Sequence, residues 1–369
     1  MKTKSEIVLA HDSFTQYGGA ERVIEAISEI YPQSEIYTLA SDTAITRHLA
    51  NKNIHNSLLN VFYQAIPKLQ WWFPLAPVAL RLMKLAPAKV VLSSSSAFMK
   101  GLRKPAGSVH IDYCHTPTRF LWSDAVYAEG EVPFFLRLFM RIYLRWLRKW
   151  DLAAAKKVDY FVANSLEVQK RIKKYYNRDS ELIYPFIDTH FWVNSKPKQD
   201  YFLVAGRITP YKGYEKIISI FNELGVRLHV VGEGRYLSYL KSIAKDNIIF
   251  FGRVSDKELR DQYSGAKAFL YPQVEDFGLM PLESASCGTP TIALGEAGSL
   301  ETVVSGVTGE LIQKFDFETV QKIVNGWHQA KYNLDAMRTH AQKFSKEIFQ
   351  KNITDFVREV TTNASSNRS

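Results

Sequence analysis

The sequence predicts an α/β protein built from two doubly wound domains. The 369 residues exceed the size of a single core, and short apolar strands alternate with helical patterns in both halves, which is typical of parallel sheets covered by helices. In the first half we expect strands at residues 6–12, 35–41, 89–96, 108–116 and 159–165. In the second half we expect them at residues 201–207, 226–234, 247–254, 267–273 and 289–295.

The domain boundaries follow from breaks in this pattern. We expect an N-terminal domain at 1–184, a C-terminal domain at 185–345, and a final helix with a loose tail at 346–369. Residues 184–200 lose helical periodicity and contain two prolines, so they are predicted to be a linker. Ligands of open parallel sheets bind at the carboxyl ends of the strands, so two facing domains predict a shared cleft.

The positive charge is concentrated in one stretch. Residues 43–111 contain nine Lys or Arg and no Asp or Glu, whereas the net charge of the whole chain is +10. The residues between these cations are bulky aliphatics and aromatics, which favour a membrane surface or a lipid-linked substrate over nucleic acid. A helical core with a basic rim is the alternative.

Other features of the sequence exclude several classes of protein. Cys114 and Cys287 lie far apart without a Cys/His cluster, so neither a disulfide framework nor a zinc site is indicated. The N-terminus lacks the apolar run of a signal peptide, and the longest apolar stretches are interrupted by Arg, Lys or Pro. We therefore expect a cytoplasmic protein without a membrane-spanning helix.

Two cations follow the first strand of the second half. In "VAGRITPYKGYEKIISIF", Arg207 ends a strand, and Lys212 with Gly213 lies in the loop that opens a helix. Two cations, a glycine and the amides of a helix start suit a diphosphate. Surface cations beside a turn are the alternative. The sequence has no G-x-x-x-x-G-K-[ST], which argues against a P-loop.

Glycines mark two further turns. Gly18 and Gly19 precede an amphipathic helix, expected to begin properly at Glu21, and would allow a ligand to approach the backbone. In "GEGRYL" the third glycine of a dinucleotide fingerprint is missing, so Gly232 and Gly234 are favoured as turn residues. A nucleotide-phosphate role for Gly234 stays open.

His115 in "IDYCHTPTRFLW" is placed where a strand ends. A single histidine at a strand end is often structural. At the edge of the inferred cleft, its neutral imidazole would also suit a hydrogen bond with a sugar hydroxyl.

Residues 274–290, "VEDFGLMPLESASCGTP", place two carboxylates around a glycine turn. A helix is expected from about Leu279, so backbone amides near Gly278 would point at an anionic ligand, with Glu275 and Glu283 on either side as acceptors for hydroxyls. A helix-capping acid is one alternative. A hydrolase pair of carboxylates is another.

Five motifs in this order resemble one known family. The segments "GGAERV", "CHTPTRFLW", "AGRITPYKG", "EDFGLMPLESASCGTP" and "GVTGELI" are similar to those of the retaining nucleotide-sugar glycosyltransferases of family 4, which have the GT-B architecture. The E-x7-E motif and the Arg207/Lys212 pair are its most specific parts. The resemblance implies that the last helix crosses back onto the N-terminal domain.

The resemblance implies roles for individual residues. Glu275 would hold donor-sugar hydroxyls and Glu283 the ribose, whereas Arg207 and Lys212 would neutralise the diphosphate and His115 would contact the donor sugar. No D-x-D motif is present, and no metal or other cofactor is expected. The remaining residues of the implied donor site are Gly18, Gly19, Gly234, Arg253, Val254, Phe277, Gly278 and Leu279.

A basic helix is expected at residues 134–149. Arg137, Arg141, Arg145 and Arg148 are spaced to share one face among aromatic and aliphatic residues. An interfacial helix, or one that meets a lipid diphosphate, would explain this composition. The alternative is an amphipathic core helix whose arginines face solvent.

The function that the resemblance implies is transfer of mannose from GDP-mannose to a polyprenyl-diphosphate-linked saccharide, as in O-antigen or exopolysaccharide assembly. The enzyme would lie at the inner face of the cytoplasmic membrane, with other enzymes of the pathway as partners. Three alternatives stay open: a UDP-sugar-dependent transferase of the same family, a nucleotide-sugar 2-epimerase, and a non-enzymatic nucleotide-sugar-binding partner.

Overall fold

The computed structural model describes residues 6–123, 137–328 and 331–366. Within it the chain divides into two units, each with its own parallel sheet. Unit 1 comprises Met1–Pro185 and Phe349–Ser369, and unit 2 comprises Phe186–Ile348.

Unit 1 is built on a seven-stranded sheet in the order β3-β2-β1-β4-β5-β6-β7, whose paired strands are all parallel. Its strands are β1 (Ile7–Phe14), β2 (Ile36–Ser41), β3 (Ile54–Asn56), β4 (Val90–Ser95), β5 (Val109–Cys114), β6 (Tyr160–Ala163) and β7 (Ser180–Leu182). The order reverses between β1 and β4, so the loops after these two strands are neighbours at the carboxyl ends of the strands.

The helices of unit 1 cover this sheet. They are α1 (Gly19–Ile30), α2 (Leu59–Ala65), α3 (Ala76–Leu82), α4 (Arg137–Ala155) and α5 (Leu166–Tyr176), with 3-10 turns at Leu69–Leu75, Met99–Gly101 and Arg119–Leu121. The core of the unit joins strand residues such as Val8 and Val91 to Leu80 of α3 and Leu147 of α4. Apolar burial on both faces of the sheet holds the parallel strands together.

Unit 2 has a six-stranded sheet in the order β10-β9-β8-β11-β12-β13, again with parallel pairs. Its strands are β8 (Phe202–Ala205), β9 (Leu228–Val231), β10 (Ile248–Gly252), β11 (Phe269–Tyr271), β12 (Thr291–Leu294) and β13 (Gly309–Ile312). Here the order reverses between β8 and β11.

The helices of unit 2 are α6 (Tyr214–Leu224), α7 (Leu237–Ile243), α8 (Asp256–Gly265), α9 (Leu279–Ser286), α10 (Ser299–Thr302), α11 (Phe317–Asn325) and α12 (Leu334–Gln342). A last helix, α13 (Lys346–Ser366), begins at the end of unit 2 and has most of its length in unit 1. In unit 1 its Phe349 packs edge-on against Tyr113, with ring centroids 5.9 Å apart, and its Gln350 donates to the carbonyl of Ala26.

The fold class and the ten strands predicted from the sequence are confirmed, with most strand ends trimmed by one to three residues. Three further strands, β3, β7 and β13, were not predicted. Each is only three or four residues long, lies at an edge of its sheet, and consists mostly of exposed or half-buried residues. Such strands contain no apolar run by which they could be predicted.

Three other expectations need correction. The segment predicted as a linker packs into unit 2, because Trp192 is buried and lies edge-on to the ring of Tyr263. The tail predicted to be loose from Thr361 is helical as far as Ser366. Helix α1 begins at Gly19, two residues before the expected Glu21.

Candidate active site

The loops that follow β8 and β11 carry most of the residues that the sequence singles out in unit 2. These strands are neighbours on either side of the point where the strand order reverses. Gly213 of the first loop lies so close to Pro272 of the second that a β-carbon there would be 3.0 Å from the proline Cβ. The two loops are therefore in direct contact, at the position where open α/β sheets bind their ligands.

A lysine and a carboxylate join these loops. Nζ of Lys212 lies 2.9 Å from Oε1 of Glu275, and the two side chains keep 14% and 27% of their surface exposed. Gly298, at the start of α10, donates its backbone N–H to the carbonyl oxygen of Glu275 at 3.1 Å and so braces the second loop. Oε1 is thus the carboxylate oxygen of Glu275 that contacts the ammonium group.

Both helices that leave these loops begin at a glycine in the left-handed region. Gly213 (φ 75°) precedes α6, and Gly278 (φ 87°) precedes α9. Neither helix start has a capping side chain, and α9 has no acid in its first turn. The first amides of two neighbouring helices, with their dipoles, are thus left without a capping side chain, an arrangement suited to an anion.

Buried polar groups lie beneath the two loops. The hydroxyl of Tyr214 and Oε1 of Gln273 are buried and have no hydrogen-bond partner among the described residues. A β-carbon on Gly206 would meet both side chains, the tyrosine hydroxyl at 3.2 Å. Burial, together with the charge of Glu275, raises the pKa of Tyr214, so its hydroxyl keeps its proton. Polar groups of this kind usually require a partner. Neither residue was predicted from the sequence as part of the site.

Glu283 lies on α9, one turn beyond its start, as the sequence predicts. Its side chain is largely buried, and the Tyr263 hydroxyl lies 3.5 Å from Oε2. Phe277, before the helix, is also buried and packs against Phe344 with ring centroids 5.6 Å apart. Leu279 is the first residue of the helix.

The remaining predicted residues of unit 2 surround this pair of loops. Arg207 follows β8 and is exposed, and Arg253 with Val254 follows β10. Gly234 has a structural reason to be glycine, because a β-carbon would lie 1.9 Å from the carbonyl oxygen of Ile208. This close approach agrees with the interpretation of Gly234 as a turn residue.

In unit 1, the turn after β4 is held by an aspartate at the end of β1. The carboxylate of Asp12 accepts four backbone N–H bonds of 2.6–3.0 Å, from residues 96 to 99. The loop that follows β1 ends at Gly18, and Gly19 is the first residue of α1. Asp12 was not among the predicted site residues, although an acid at the end of a predicted strand is a usable signal.

His115 follows β5 and is half-buried at the end of a chain of polar side chains, whose other members, Ser94, His11 and Glu21, are buried. Nε2 of His115 lies 2.8 Å from Oγ of Ser94, which lies 3.1 Å from Nδ1 of His11. Nε2 of His11 is 3.6 Å from Oε1 of Glu21 on α1. Burial and, to a smaller extent, the neighbouring His11 lower the pKa of His115 to about 3, so the imidazole of His115 is neutral.

The single hydroxyl of Ser94 joins the two rings, so the hydrogen-bond roles of His11 and His115 are coupled. When Nδ1 of His11 accepts from Ser94, Ser94 accepts from Nε2 of His115, and Nδ1 of His115 is left as an acceptor. The chain adds His11, Ser94 and Glu21 to the polar surroundings of His115, and none of the three was predicted as a site residue.

The arginines of α4 do not all behave alike. Arg141 and Arg145 are exposed, together with the apolar side chains of Leu138 and Ile142. Arg148 departs from the prediction, because it is half-buried and its Nε donates to the carbonyl of Leu121 at 2.6 Å. The side chain of Arg137, and residues 134–136, lie outside the described residues.

The basic stretch of residues 43–111 also divides. Lys100 is completely buried and forms an ion pair of 2.8 Å with Asp151, and so it cannot belong to a surface. Lys104 pairs with Asp159, and Lys89 pairs with Glu6. Within the described ranges, no helix is long and apolar enough to cross a membrane.

Comparison with known proteins places the chain in a family. Residues 17–191 match the model of "Glycosyltransferase Family 4", and residues 186–344 match that of "Glycosyl transferases group 1". The two matches together span nearly the whole chain. The chain belongs to the glycosyltransferases of family 4, as its motifs suggested.

Curated relatives are similar over part of their length. The O-antigen chain mannosyltransferase RfbU of Salmonella typhimurium is 30% identical over 164 residues, which are 41% of this chain and 46% of the relative. A GDP-mannose-dependent phosphatidylinositol monomannoside mannosyltransferase of Mycolicibacterium smegmatis is 30% identical over 136 residues, 32% of this chain and 36% of the relative. The chain thus spans less than half the length of these relatives.

Solved structures share the fold over almost the full chain. HepE of Anabaena in complex with UDP superposes with a TM-score of 0.71 at 15% identity, covering 96% of this chain and 100% of that one. Sucrose-phosphate synthase of Thermosynechococcus elongatus gives a TM-score of 0.72 at 15% identity, covering 97% and 100%. At this identity the likeness establishes the GT-B fold.

Proposed function

We propose that the chain is a retaining glycosyltransferase that transfers mannose from GDP-mannose to a saccharide carried on a lipid diphosphate. The observation that carries the proposal is the contact between Lys212 and Glu275 at the reversal of strand order in unit 2, between two helix starts without capping side chains. The mannosyltransferases among the relatives, including one named as GDP-mannose-dependent, support the choice of donor.

The donor diphosphate would lie over the starts of α6 and α9. Arg207 and Lys212 supply two cations beside these amides. Because Lys212 already neutralises one oxygen of Glu275, the carboxylate can accept a sugar hydroxyl without repelling the diphosphate. Glu283 would accept from the ribose hydroxyls, and the loop at Arg253 and Val254 would contact the base.

The proposed step breaks the bond between the anomeric carbon and the phosphate oxygen of the donor. The acceptor oxygen forms its bond to that carbon on the same face, and the acceptor proton passes to the leaving phosphate oxygen. Negative charge develops on the diphosphate, where Arg207, Lys212 and the helix amides stabilise it. In this proposal the two cations take the part that a metal ion plays in other transferases.

Unit 1 would supply His115 and the acceptor site. The neutral imidazole of His115, at the end of β5, suits a hydrogen bond with a hydroxyl of the donor sugar. The exposed basic and apolar side chains of α4 suit a lipid-linked acceptor and a position at the inner face of the cytoplasmic membrane. Other enzymes of polysaccharide assembly would then be neighbours on that surface.

Donor binding is the first test. Thermal-shift titrations with GDP-mannose, GDP, UDP-glucose and UDP should show stabilisation by the guanosine ligands. The Lys212→Met variant should lose most of this shift. Lys196→Met is the matched control, because Lys196 pairs with Asp261 in the same unit but away from the two loops. A larger shift with the uridine ligands would replace the donor assignment.

Transfer activity is the second test. In an assay with GDP-mannose and a lipid-linked saccharide, Glu275→Gln and Lys212→Met should each lower the rate by a factor of about 10²–10³, whereas Lys196→Met should not. Near-normal rates for both site variants would refute the proposal. Formation of an epimerised sugar without acceptor would identify an epimerase, and tight donor binding without any reaction would identify a binding partner.

A further inference from the structure

A cavity opens on unit 1 beside α4, and none of the residues that line it has been given a role in the donor site. Its volume is about 540 Å³, and it lies between α3, the segment 101–103 and α4. Three cationic and two indole side chains line it: Arg81, Arg103, Lys157, Trp146 and Trp150. Of the described residues that line the cavity, none is acidic.

The three cations are uncompensated. Arg81, Arg103 and Lys157 are exposed, and none of them has an ion pair or a side-chain hydrogen bond with another described residue. Their neighbours Lys100 and Lys104 do have such partners, in Asp151 and Asp159. Like charges facing one cavity repel one another, so an anion that enters it is stabilised by all three.

Between the cations, the walls of the cavity are apolar. A β-carbon on Gly101 would lie 2.5 Å from the Trp150 ring, so glycine is what lets this indole pack against the backbone. Val78 and Trp146 at the rim keep 55% and 49% of their surface exposed, and Leu82 and Ile142 extend this apolar rim along α3 and α4. An occupant that matches both properties is an anionic group attached to an apolar body.

The position of the cavity distinguishes between two such occupants. Arg103 and Lys157 come shortly before β5 and β6, whereas His115 directly follows β5. Because these strands are parallel neighbours, residues before them lie at the amino ends of the strands, and residues after them lie at the carboxyl ends, on the opposite side of the sheet. A reacting acceptor has to reach the carboxyl ends, where His115 lies, whereas a bilayer lipid does not.

We propose that this cavity binds the phosphate headgroup of an anionic membrane phospholipid and so fixes unit 1 on the bilayer surface. The apolar rim enters the headgroup region while the three cations hold the phosphate. The assignment rests on the proposed function, since a lipid-linked acceptor gives the enzyme a reason to be at a membrane. Its test uses neither donor nor acceptor saccharide, so either proposal can fail alone.

The test is binding to vesicles of phosphatidylcholine, with and without phosphatidylglycerol, measured by co-sedimentation. The protein should bind the anionic vesicles, and Arg103→Gln/Lys157→Gln should weaken that binding on the order of 30-fold. The control, Lys170→Gln/Lys174→Gln, removes two exposed charges from α5 of the same unit and should bind within a few-fold of the original chain. Since all four side chains are exposed, the variants should fold, which circular dichroism would verify.

Two further arms separate the sources of phosphate. Phosphatidylcholine vesicles that carry polyprenyl phosphate should bind more weakly than those with phosphatidylglycerol, and inorganic phosphate should not compete at the concentration of the lipid. Equal binding by the cavity variant and the control would overturn the proposal. It would also be overturned if the cavity variant lost binding only to polyprenyl phosphate, because the cavity would then serve the acceptor.

Discussion

The two units each contain a lysine–carboxylate pair, and the two pairs have opposite surroundings. In unit 1, Lys100 and Asp151 lie 2.8 Å apart with both side chains fully buried. In unit 2, Lys212 and Glu275 lie 2.9 Å apart and keep 14% and 27% of their surface exposed. Nearly equal distances therefore describe two different situations.

The buried pair is saturated by protein partners. Asp151 also accepts hydrogen bonds from Thr118, Trp122 and Tyr176, at 2.8–2.9 Å. A desolvated charge pair is tolerated when its remaining bonds are satisfied in this way. It ties the turn after β4 to α4, and nothing about it is left for a ligand.

The pair in unit 2 is different because its neighbours are not saturated. Tyr214 and Gln273 beneath it have buried polar atoms without described partners, and both adjacent helix starts lack a capping side chain. Exposure and unsatisfied polar groups distinguish a binding site from a structural contact. The surroundings of each ion pair therefore distinguish a structural contact from a candidate binding site, whereas the distance between the charges does not.

The largest expected effect is on the buried pair. Lys100→Met leaves Asp151 buried without its cation, which should lower the free energy of unfolding of unit 1 by about 3–5 kcal/mol. Urea unfolding followed by tryptophan fluorescence measures this well, because five of the seven tryptophans belong to unit 1.

Two variants accompany this experiment. Lys104→Met removes an ion pair of the same unit whose partners are 31% and 37% exposed, and should cost about 1 kcal/mol or less. Lys100→Met/Asp151→Leu removes both buried charges and should recover part of the lost stability. If Lys100→Met were as mild as Lys104→Met, the two pairs would not differ as proposed.

A medium effect is expected from pH, because unit 1 buries histidine within its sheet. Burial lowers the pKa of His110 to about 3, and its Nε2 lies 2.7 Å from Oγ of Ser93. In the unfolded chain this imidazole has its ordinary pKa of 6.5 and binds a proton below that pH, whereas in the folded state it stays neutral. The free energy of unfolding therefore falls as the pH falls below 6.5. One such histidine costs about 2 kcal/mol by about pH 5.

The variant His110→Gln isolates this contribution. Burial raises the pKa of Asp112 to about 6, so this carboxyl opposes the histidine by stabilising the folded state as the pH falls. The difference between His110→Gln and the original chain should nevertheless grow by about 2 kcal/mol between about pH 7 and pH 5. The exposed His48 provides the control, His48→Gln, which should leave the profile unchanged. Parallel profiles for His110→Gln and the original chain would contradict the expectation.

The smallest effect on stability is expected for the pair in unit 2. Lys212→Met should change the free energy of unfolding by no more than about 1 kcal/mol, because the contact is partly solvated. Urea unfolding followed by circular dichroism would measure it, with Lys196→Met as the matched variant. A loss as large as that of Lys100→Met would mean that the pair in unit 2 is structural as well.

Local signals in the sequence predicted several of these features. The alternation of apolar strands and helical patterns gave the fold class, and glycine placed the starts of α6 and α9 correctly. The short edge strands were not predicted, because three or four residues, most of them exposed or half-exposed, have no pattern of their own. Lys100 was placed among surface cations for a similar reason, since nothing near it in the chain announces its distant partner Asp151.

The two parallel sheets, and the cations, carboxylates and glycines after particular strands, were predictable without coordinates, because periodicity and turn chemistry depend on neighbours in the chain. Which of these residues meet depends on how the chain folds. The order of the strands brings Lys212 to Glu275 and His11 through Ser94 to His115. It also buries Lys100 and gathers around one cavity three cations that have no ion-pair partner among the described residues. Contacts between distant segments are fixed by sheet order and packing, which no local pattern encodes.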